Sequence, residues 1–356
     1  MKILFLNTNI GYGGASKMMT CVANYLCDSH DVHFLVFRSD EIKQQLDPRV
    51  QLEFNTLYEN RNKALENIGK IIALHLIIKK GEYDLVVAFL HPSHYMAVLA
   101  SFGTKAKVLF SERVDPITRR KTSSAFVKAV QKIVEHADAF VFQSDGAMEA
   151  YPEKCQKRGR VIVNSIPKKE YPSYSPSEKK YVVSVGRMEI VQKRQDVLLE
   201  AFKIFHANHN DYRLMLVGDG PDEEKVKKII QENGLSDCVD YMGERKDALL
   251  LVANSTMFVL SSDYEGIPNA LLEAMVIGAP CISTDCSPGG ARMIIDNEKN
   301  GFIVPCDSPV ELADKMALVA DNNEIRNMLS ENSKSKLDRF SETEVKKQWC
   351  ELIDSL

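Results

Sequence analysis

Two glutamates in the second half of the sequence are close enough along the chain to act on one ligand. Glu265 stands in a Gly-Ile-Pro-Asn turn after an apolar run, and Glu273 follows eight residues later in a segment that Pro268 can open as a helix. A carboxylate near a helix amino end is stabilised by the helix dipole, and its two oxygens can accept from vicinal hydroxyls. The spacing favours a ligand such as a sugar, and a pair of solvated glutamates beside a turn is the alternative.

Two cations six positions apart form a second candidate site. Gly186 and Arg187 directly follow the apolar run 181–185, and Lys193 precedes the helix-like segment 196–205. Cations that flank a strand-to-helix connection can converge on a diphosphate, and the free N–H groups of the helix amino end add donors. The pattern indicates stabilisation of an anionic leaving group, with an exposed charged loop as the alternative.

Gly13 and Gly14 form a turn after the first predicted strand, and Gly218 lies in a turn after a later strand. Because glycine has no side chain, the backbone can approach a ligand closely at both turns. A dinucleotide fingerprint needs a third glycine where this chain has Ser16. A nicotinamide dehydrogenase is therefore disfavoured.

The sequence offers no set of metal ligands. No Asp-x-Asp pair and no clustered Cys/His set occurs, so we expect neither a divalent metal ion nor a cofactor. His91 and His94 follow a strand of the first half, where they could contact an acceptor or a sugar, or simply be hydrogen-bonded loop histidines. The eight scattered cysteines are typical of reduced, cytoplasmic thiols.

Length and charge narrow the class of protein. The 356 residues suggest two domains, and no apolar run is long enough to span a bilayer. The net charge of −4 conceals a split of +6 for residues 1–170 and −10 for residues 171–356. A basic first half suits an anionic partner such as a membrane surface or a diphosphate. Nucleic acid is disfavoured because the basic residues lack interleaved aromatics.

The elements that must position these residues alternate regularly. Short apolar runs separated by amphipathic stretches predict parallel strands with crossover helices in two doubly wound α/β domains. The carboxyl ends of the two sets of strands are expected to face each other across a cleft. The predicted ranges are a first domain at 1–167, a linker at 168–180, a second domain at 181–340 and an amphipathic helix at 341–356 that returns to the first domain.

Taken together, these motifs resemble the retaining glycosyltransferases of family 4, which have the GT-B fold of two facing Rossmann-like domains. The segments that carry the resemblance are GYGGASK, VGRMEIVQKRQDVLLEAF, LVGDGPDEEKV, MFVLSSDYEGIPNALLEAMVIGAPCISTDCSPGGAR and NGFIVP. The resemblance implies that Arg187 and Lys193 bind the donor diphosphate, that Glu273 binds the ribose, and that Glu265 binds the transferred sugar. Catalytic roles would fall to Arg187, Lys193 and Glu265. The implied donor-binding residues are Gly13, Gly14, Arg187, Lys193, Gly218, Glu265, Gly266, Ile267, Pro268, Asn269 and Glu273.

The segments SERVDP and CISTDCSPGG are similar to a branch of that family that builds capsule, O-antigen and glycan-carrier lipids. Glu112 and Arg113 join His91 and His94 as candidate contacts for the acceptor or the sugar. Where many members carry a glutamate after the glycine pair and an arginine, this chain has Met293.

The resemblance thus implies a retaining, metal-independent enzyme that moves a hexose or N-acetylhexosamine from a UDP-linked donor to a glycan or polyprenyl-diphosphate-linked acceptor. A sugar-nucleotide epimerase or a non-catalytic binder of nucleotide sugars are the rival functions. A basic segment suggests peripheral attachment to the inner face of the cell membrane, and an ordinary amphipathic helix is the alternative. The basic residues of that segment are Arg119, Arg120, Lys121, Lys128 and Lys132.

Overall fold

The structure is a computed structural model that describes residues 1–7, 14–37, 45–54, 63–89, 93–122, 125–166 and 168–356. The chain forms two compact units. The first contains Met1–Ser165 together with Thr343–Leu356, and the second contains Ile166–Glu342.

The described part of the first unit contains a seven-stranded sheet with the order β3-β2-β1-β4-β5-β6-β7, in which every neighbouring pair is parallel. Its central strands are buried along nearly their whole length, which is why their sequences are continuous apolar runs. The strands are β1 (Lys2–Asn7), β2 (Asp31–Val36), β3 (Gln51–Phe54), β4 (Leu85–Ala88), β5 (Lys107–Ser111), β6 (Ala139–Phe142) and β7 (Gly159–Val161).

Crossover helices connect these strands, as parallel pairing requires. They are α1 (Gly14–Leu26), α2 (Lys63–Gly81), α3 (Ser93–Ser101), α4 (Pro116–Thr122), α5 (Ala125–Val134), α6 (Asp145–Glu149) and α7 (Glu153–Gln156).

The second unit contains a six-stranded parallel sheet with the order β10-β9-β8-β11-β12-β13. Strands β9 and β10 lie on one side of β8, and β11, β12 and β13 lie on the other, so the strand order reverses between β8 and β11. The strands are β8 (Lys180–Val185), β9 (Tyr212–Val217), β10 (Val239–Gly243), β11 (Met257–Leu260), β12 (Cys281–Thr284) and β13 (Phe302–Val304).

Helices cover this second sheet around an aliphatic and aromatic core. They are α8 (Ile190–Lys193), α9 (Gln195–His206), α10 (Glu223–Glu232), α11 (Ala248–Ala253), α12 (Asn269–Ile277), α13 (Gly290–Ile294), α14 (Pro309–Asp321), α15 (Asn323–Asn332) and the 3₁₀ turn Leu337–Phe340.

The last helix, α16 (Glu342–Asp354), packs in the first unit. Val345, Trp349, Leu352 and Ile353 are buried, and the Trp349 ring stacks on Phe89 with 5.7 Å between ring centroids. The helix therefore contributes an aromatic side chain to the core of a domain whose other elements lie at the opposite end of the sequence.

The predicted α/β class with two doubly wound sheets is confirmed. Residues 168–180, which the composition suggested as a linker, lie in the second unit and bind it through backbone hydrogen bonds. The Tyr174 N–H donates to the Ile277 carbonyl (3.0 Å), and the Ser175 N–H donates to the Ala253 carbonyl (2.9 Å). Within the described ranges, none of the helices combines the length and apolarity needed to cross a bilayer.

Candidate active site

The candidate residues of the second unit gather at the carboxyl edge of its sheet, beside β8 and β11. Arg187 follows β8, Glu265 follows β11, and Lys193 ends α8. Because β8 and β11 are the neighbours between which the strand order reverses, the loops after them diverge and leave a crevice. The sequence thus places its cations and its first glutamate where doubly wound sheets bind ligands.

Lys193 and Glu265 form an ion pair across 72 residues of sequence. Lys193 Nζ contacts Glu265 Oε1, and the Ser262 hydroxyl donates to the same oxygen at 3.0 Å. Both charged side chains are mostly buried but still reach solvent. Lys193 also lines a small cavity with Gly186 and Ser261. The ammonium group is therefore held in place at the crevice by a carboxylate that a more highly charged anion can replace.

Arg187 has a much more open environment. Its side chain is 64% exposed, and its guanidinium lies 3.7 Å from Glu189 Oε2. The main chain is anchored, since Gln195 Nε2 donates to the Arg187 carbonyl at 2.8 Å. A fixed backbone with an exposed guanidinium is suited to an incoming anion, because little existing interaction is lost on binding.

The loop from Glu265 to Asn269 leads directly into α12. The Glu265 N–H donates to the Ser287 carbonyl at 2.7 Å, which fixes the start of the loop. Gly266, Ile267 and Pro268 then lead to Asn269, the first residue of α12. The first N–H groups of a helix have no intrahelical acceptor, so this end can donate to a polar ligand.

Glu273 lies on α12 and pairs with a residue that sequence reasoning missed. Lys169 Nζ is 2.7 Å from Glu273 Oε1. The Tyr171 ring also lies close, and burial together with the Glu273 charge raises the pKa of the Tyr171 phenol to about 12. Both partners come from the segment that composition suggested as a linker, and no local spacing could have matched them to Glu273.

Gly218 of the predicted site, and Gly290 of a nearby loop, are each needed for close packing. Gly218 has a φ of +130°, and a Cβ there would lie 2.1 Å from the Gly186 carbonyl oxygen. A Cβ at Gly290 would lie 2.1 Å from the Gly266 carbonyl oxygen. Both positions need glycine because the backbone there touches the backbone of a neighbouring loop, at Gly186 in the first case and at Gly266 in the second. A donor contact at Gly218 stays a prediction.

Arg194 organises the same edge in a way that its charge alone does not suggest. It joins α8 to α9 in a left-handed conformation (φ 49°, ψ 48°), which a residue other than glycine rarely adopts. Its guanidinium binds three carboxylates: Asp196 at 3.1 Å, Asp263 at 2.8 Å and Asp307 at 2.6 Å. Arg194 therefore ties the loops after β11 and β13 to the junction between α8 and α9, directly beside Lys193.

The candidate residues of the first unit lie in a buried network. Glu112 accepts from the guanidinium of Arg119, from the Tyr151 hydroxyl at 2.6 Å, and from the N–H groups of Arg113 and Val114. Burial and the Glu112 charge hold the pKa of the Tyr151 phenol well above its usual value. Glu112 is thus saturated by protein donors.

Arg113 is only 8% exposed. Its Nε donates to Ser111 Oγ and its Nη1 to Asn164 Oδ1, both at 2.8 Å, and its guanidinium lies over the rings of Phe89 and Trp349. Burial lowers the pKa of Arg113 to about 9, so the group remains a cation at neutral pH. Its role at the acceptor or the sugar stays a prediction.

The other predicted residues of the first unit are placed in part. His94 is buried on α3, with its ring edge-to-face against Phe110 at 4.0 Å between centroids. Gly14 is the first residue of α1. Gly13 and His91 lie outside the described residues. In the described ranges, His, Cys, Asp and Glu side chains do not gather in groups of three or more that could hold a metal ion.

Comparison with known proteins identifies the second unit. Residues 166–336 match the family model described as glycosyl transferases group 1. The second unit is a group 1 glycosyltransferase domain. All the residues placed at the carboxyl edge above, from Lys169 to Asp307, lie inside this domain.

The similarity to individual glycosyltransferases extends over the whole chain. An enzyme of Campylobacter jejuni named GalNAc-α-(1→4)-GalNAc-α-(1→3)-diNAcBac-PP-undecaprenol α-1,4-N-acetyl-D-galactosaminyltransferase is 27% identical, over 99% of this chain and 98% of its own. The structure of Anabaena HepE in complex with UDP-glucose aligns with a TM-score of 0.82 and 21% identity, covering 100% of both chains. The lipopolysaccharide outer core galactosyltransferase WaaB in its apo form aligns with a TM-score of 0.79 and 21% identity, over 100% of this chain and 99% of that one. These two likenesses show the GT-B fold.

Proposed function

We propose that this protein transfers a hexose or N-acetylhexosamine from a UDP-linked sugar to a lipid-linked glycan, with retention of configuration and without a metal ion. The observation that carries the proposal is the Lys193–Glu265 ion pair beside the exposed Arg187, at the switch point of a group 1 glycosyltransferase domain. The lipid-linked acceptor and the UDP donor are supported by the names of similar proteins, one acting on an undecaprenol-linked glycan and one bound to UDP-glucose.

The two cations would act on the leaving group. Cleavage of the bond between the anomeric carbon and the diphosphate oxygen leaves negative charge on the diphosphate, and groups already fixed at that point lower the barrier most. Arg187 is free to turn towards the diphosphate, and Lys193 would exchange the Glu265 carboxylate for it. The positive charge of both cations thus acts where negative charge develops.

The same exchange would prepare Glu265 for the sugar. Once Lys193 binds the diphosphate, the Glu265 oxygens can accept from sugar hydroxyls, while the free N–H groups at the start of α12 donate to others. Glu273 would accept from the ribose hydroxyls in place of Lys169. In this arrangement both glutamates keep a hydrogen-bonded partner before and after donor binding.

Retention follows if the acceptor hydroxyl attacks from the face that the diphosphate leaves. The bond from the anomeric carbon to the acceptor oxygen forms as the bond to the diphosphate breaks, and a diphosphate oxygen takes the acceptor proton. The site then needs no carboxylate as a covalent nucleophile, which agrees with the hydrogen-bonding role given to Glu265.

The test is a transfer assay with a panel of UDP-sugars and an undecaprenyl- or short-chain polyprenyl-diphosphate-linked glycan. We expect one donor to be consumed only when acceptor is present, and the NMR coupling constant of the new linkage to show the anomeric configuration of the donor. Isomerisation of the UDP-sugar without acceptor would make the protein an epimerase. Tight binding without turnover by any donor would make it a binding protein. An inverted product would contradict the retaining mechanism.

A further inference from the structure

Helix α2 of the first unit presents an apolar face to solvent. Leu65, Ile68, Ile72 and Leu76 are each between 47% and 56% exposed. Their spacing of three, four and four residues places them on one side of the helix, along about 16 Å of its axis. The opposite side of the helix, with Leu74 and Ile78, packs into the core. Both faces of α2 are therefore apolar, and only one of them is covered by the protein.

The charges on α2 are arranged asymmetrically. The exposed face ends in Lys79 and Lys80, which are themselves exposed. Glu66 is the single acidic residue in the helix, and it forms an ion pair with Lys70 on the flank. The exposed face thus combines aliphatic side chains with positive charge at one end.

Helix α3 extends the apolar surface. His75 of α2 donates through Nδ1 to the Ala100 carbonyl at 2.8 Å, so the last turn of α3 lies beside the C-terminal half of α2. Leu99 is exposed in that turn, and Phe102, directly after it, is 85% exposed. A large aromatic ring open to solvent next to an exposed aliphatic stripe is unusual for a surface that only faces water.

The basic segment on α4 and α5 has a different character in the structure. The Arg119 guanidinium points inward to Glu112 and Tyr151, and the Arg120 guanidinium binds the Ala150 carbonyl and lies over the Tyr151 ring. Of the segment's cations whose side chains are described, Lys128 and Lys132 are exposed. The two arginines that suggested a membrane contact there therefore bind partners within the first unit.

We propose that the exposed face of α2, together with Leu99 and Phe102, is the surface through which this protein binds an anionic lipid bilayer. Aliphatic and aromatic side chains would enter the boundary between headgroups and acyl chains, and Lys79 and Lys80 would lie among anionic headgroups. A second copy of the chain would cover this face less well than a bilayer. Its Lys79 and Lys80 would meet a helix whose single acidic residue, Glu66, is already paired with Lys70. The inference deepens the proposed function and rests on it for one point, that the acceptor is held in a membrane.

The test is flotation of the full-length protein with vesicles of phosphatidylcholine alone and with 30% phosphatidylglycerol, without donor or acceptor. We expect salt-sensitive binding that requires the anionic lipid. The triple variant Ile68→Ser, Ile72→Ser, Leu76→Ser should lower the partition coefficient at least tenfold. All three positions are exposed, so the change leaves the core intact. The matched control is Ile204→Ser, Leu250→Ser, Val310→Ser, which removes three exposed aliphatics from the second unit and should partition like the wild type.

A second pair of variants separates the two basic regions. Lys79→Gln with Lys80→Gln should weaken binding to anionic vesicles severalfold, whereas Lys128→Gln with Lys132→Gln should have little effect. The opposite result would assign the membrane to α5 and overturn the proposal. Absence of vesicle binding, or a wild-type dimer that the α2 triple variant dissociates, would overturn it as well. Transfer to a water-soluble acceptor analogue is measured alongside, so loss of the proposed activity can be told from loss of membrane binding.

Discussion

The two units have the same kind of sheet, but their polar residues at the carboxyl edge are paired in different ways. In the second unit, Lys193 and Glu265 are paired within reach of solvent, and Arg187 is open. In the first unit, Glu112 accepts hydrogen bonds from Arg119, from Tyr151 and from two backbone N–H groups, and the Arg113 guanidinium lies over two aromatic rings. The polar residues of the second unit can exchange a protein partner for a ligand, whereas those of the first unit are held by partners inside the protein.

The difference shows that charge at a sheet edge is not enough to indicate a ligand site. The exposed Arg187 loses little when it takes a new partner, and a ligand of higher charge can replace the Glu265 carboxylate at Lys193. Breaking a buried pair leaves an uncompensated charge in a medium that solvates it poorly. We therefore expect changes in the second unit to act on turnover, and changes in the first to act on stability.

The largest effect is expected from Glu112→Ala. Arg119 and the Tyr151 hydroxyl lose their acceptor, and a buried guanidinium without its carboxylate costs about 3–5 kcal/mol of stability. The measurement is the thermal or urea midpoint, with Glu112→Gln as a milder control that keeps an acceptor oxygen. If Glu112→Ala unfolded at the wild-type midpoint while transfer was lost, the edge of the first unit would be a ligand site like that of the second.

The next largest effect is expected when a cation is removed from the carboxyl edge of the sheet in the second unit. Arg187→Ala or Lys193→Ala should lower kcat by about a hundredfold or more, the scale of one lost electrostatic contact to a developing charge. The midpoint of unfolding should change little for Arg187→Ala, because the side chain is exposed. Lys180→Ala, at the amino end of β8, is the matched control and should retain full turnover. Unchanged kcat in Arg187→Ala would remove this residue from the leaving-group site.

A smaller effect is expected from Arg194→Gly. Glycine suits the left-handed backbone, which relieves strain of about 1 kcal/mol, but the three aspartates lose their common partner. The loops that carry Lys193 and Glu265 should loosen, and kcat/KM for the donor should fall about tenfold without a comparable loss of thermal stability. Steady-state kinetics beside a melting curve check this, with Asp321→Ala, away from these loops, as the control. Wild-type kinetics in Arg194→Gly would show that the loops hold their positions without the guanidinium.

The smallest effect should come from a chelator. Since Arg187 and Lys193 are assigned to the leaving-group charge, transfer in excess EDTA should equal that in its absence. Initial rates with and without EDTA, and with added magnesium or manganese, measure this. A rate that depends on the metal would take the leaving-group role away from the two cations.

The elements that sequence predicted best are those buried on both faces. The apolar runs of β1, β4 and β11 are readily recognised as strands, because a strand buried on both faces of a parallel sheet is apolar along nearly its whole length. Two short edge strands did not stand out. β3 is partly exposed along its length, and β7 is three residues long, so neither has an apolar pattern to read.

The site shows the same limit. Arg187, Lys193, Glu265 and Glu273 could be selected by residue type and spacing, whereas their partners could not. Lys169 is 104 residues from Glu273, and their meeting depends on how a connecting segment packs against α12. Arg194 reads in sequence as one more cation, because a left-handed backbone and three distant aspartates leave no local pattern. The glycosyltransferase class is confirmed, while retention and the donor stay predictions.

The position of α16 has a consequence for how the polypeptide is made. The first unit needs Trp349 beside Phe89, yet a ribosome that reads from the amino end delivers that tryptophan after every strand of the second unit. The second unit can fold as it emerges, whereas the first must wait, with part of its aromatic core open, until the final helix is released. A released polypeptide that ends at residue 342 should therefore contain a folded second unit and a first unit that chaperones still recognise.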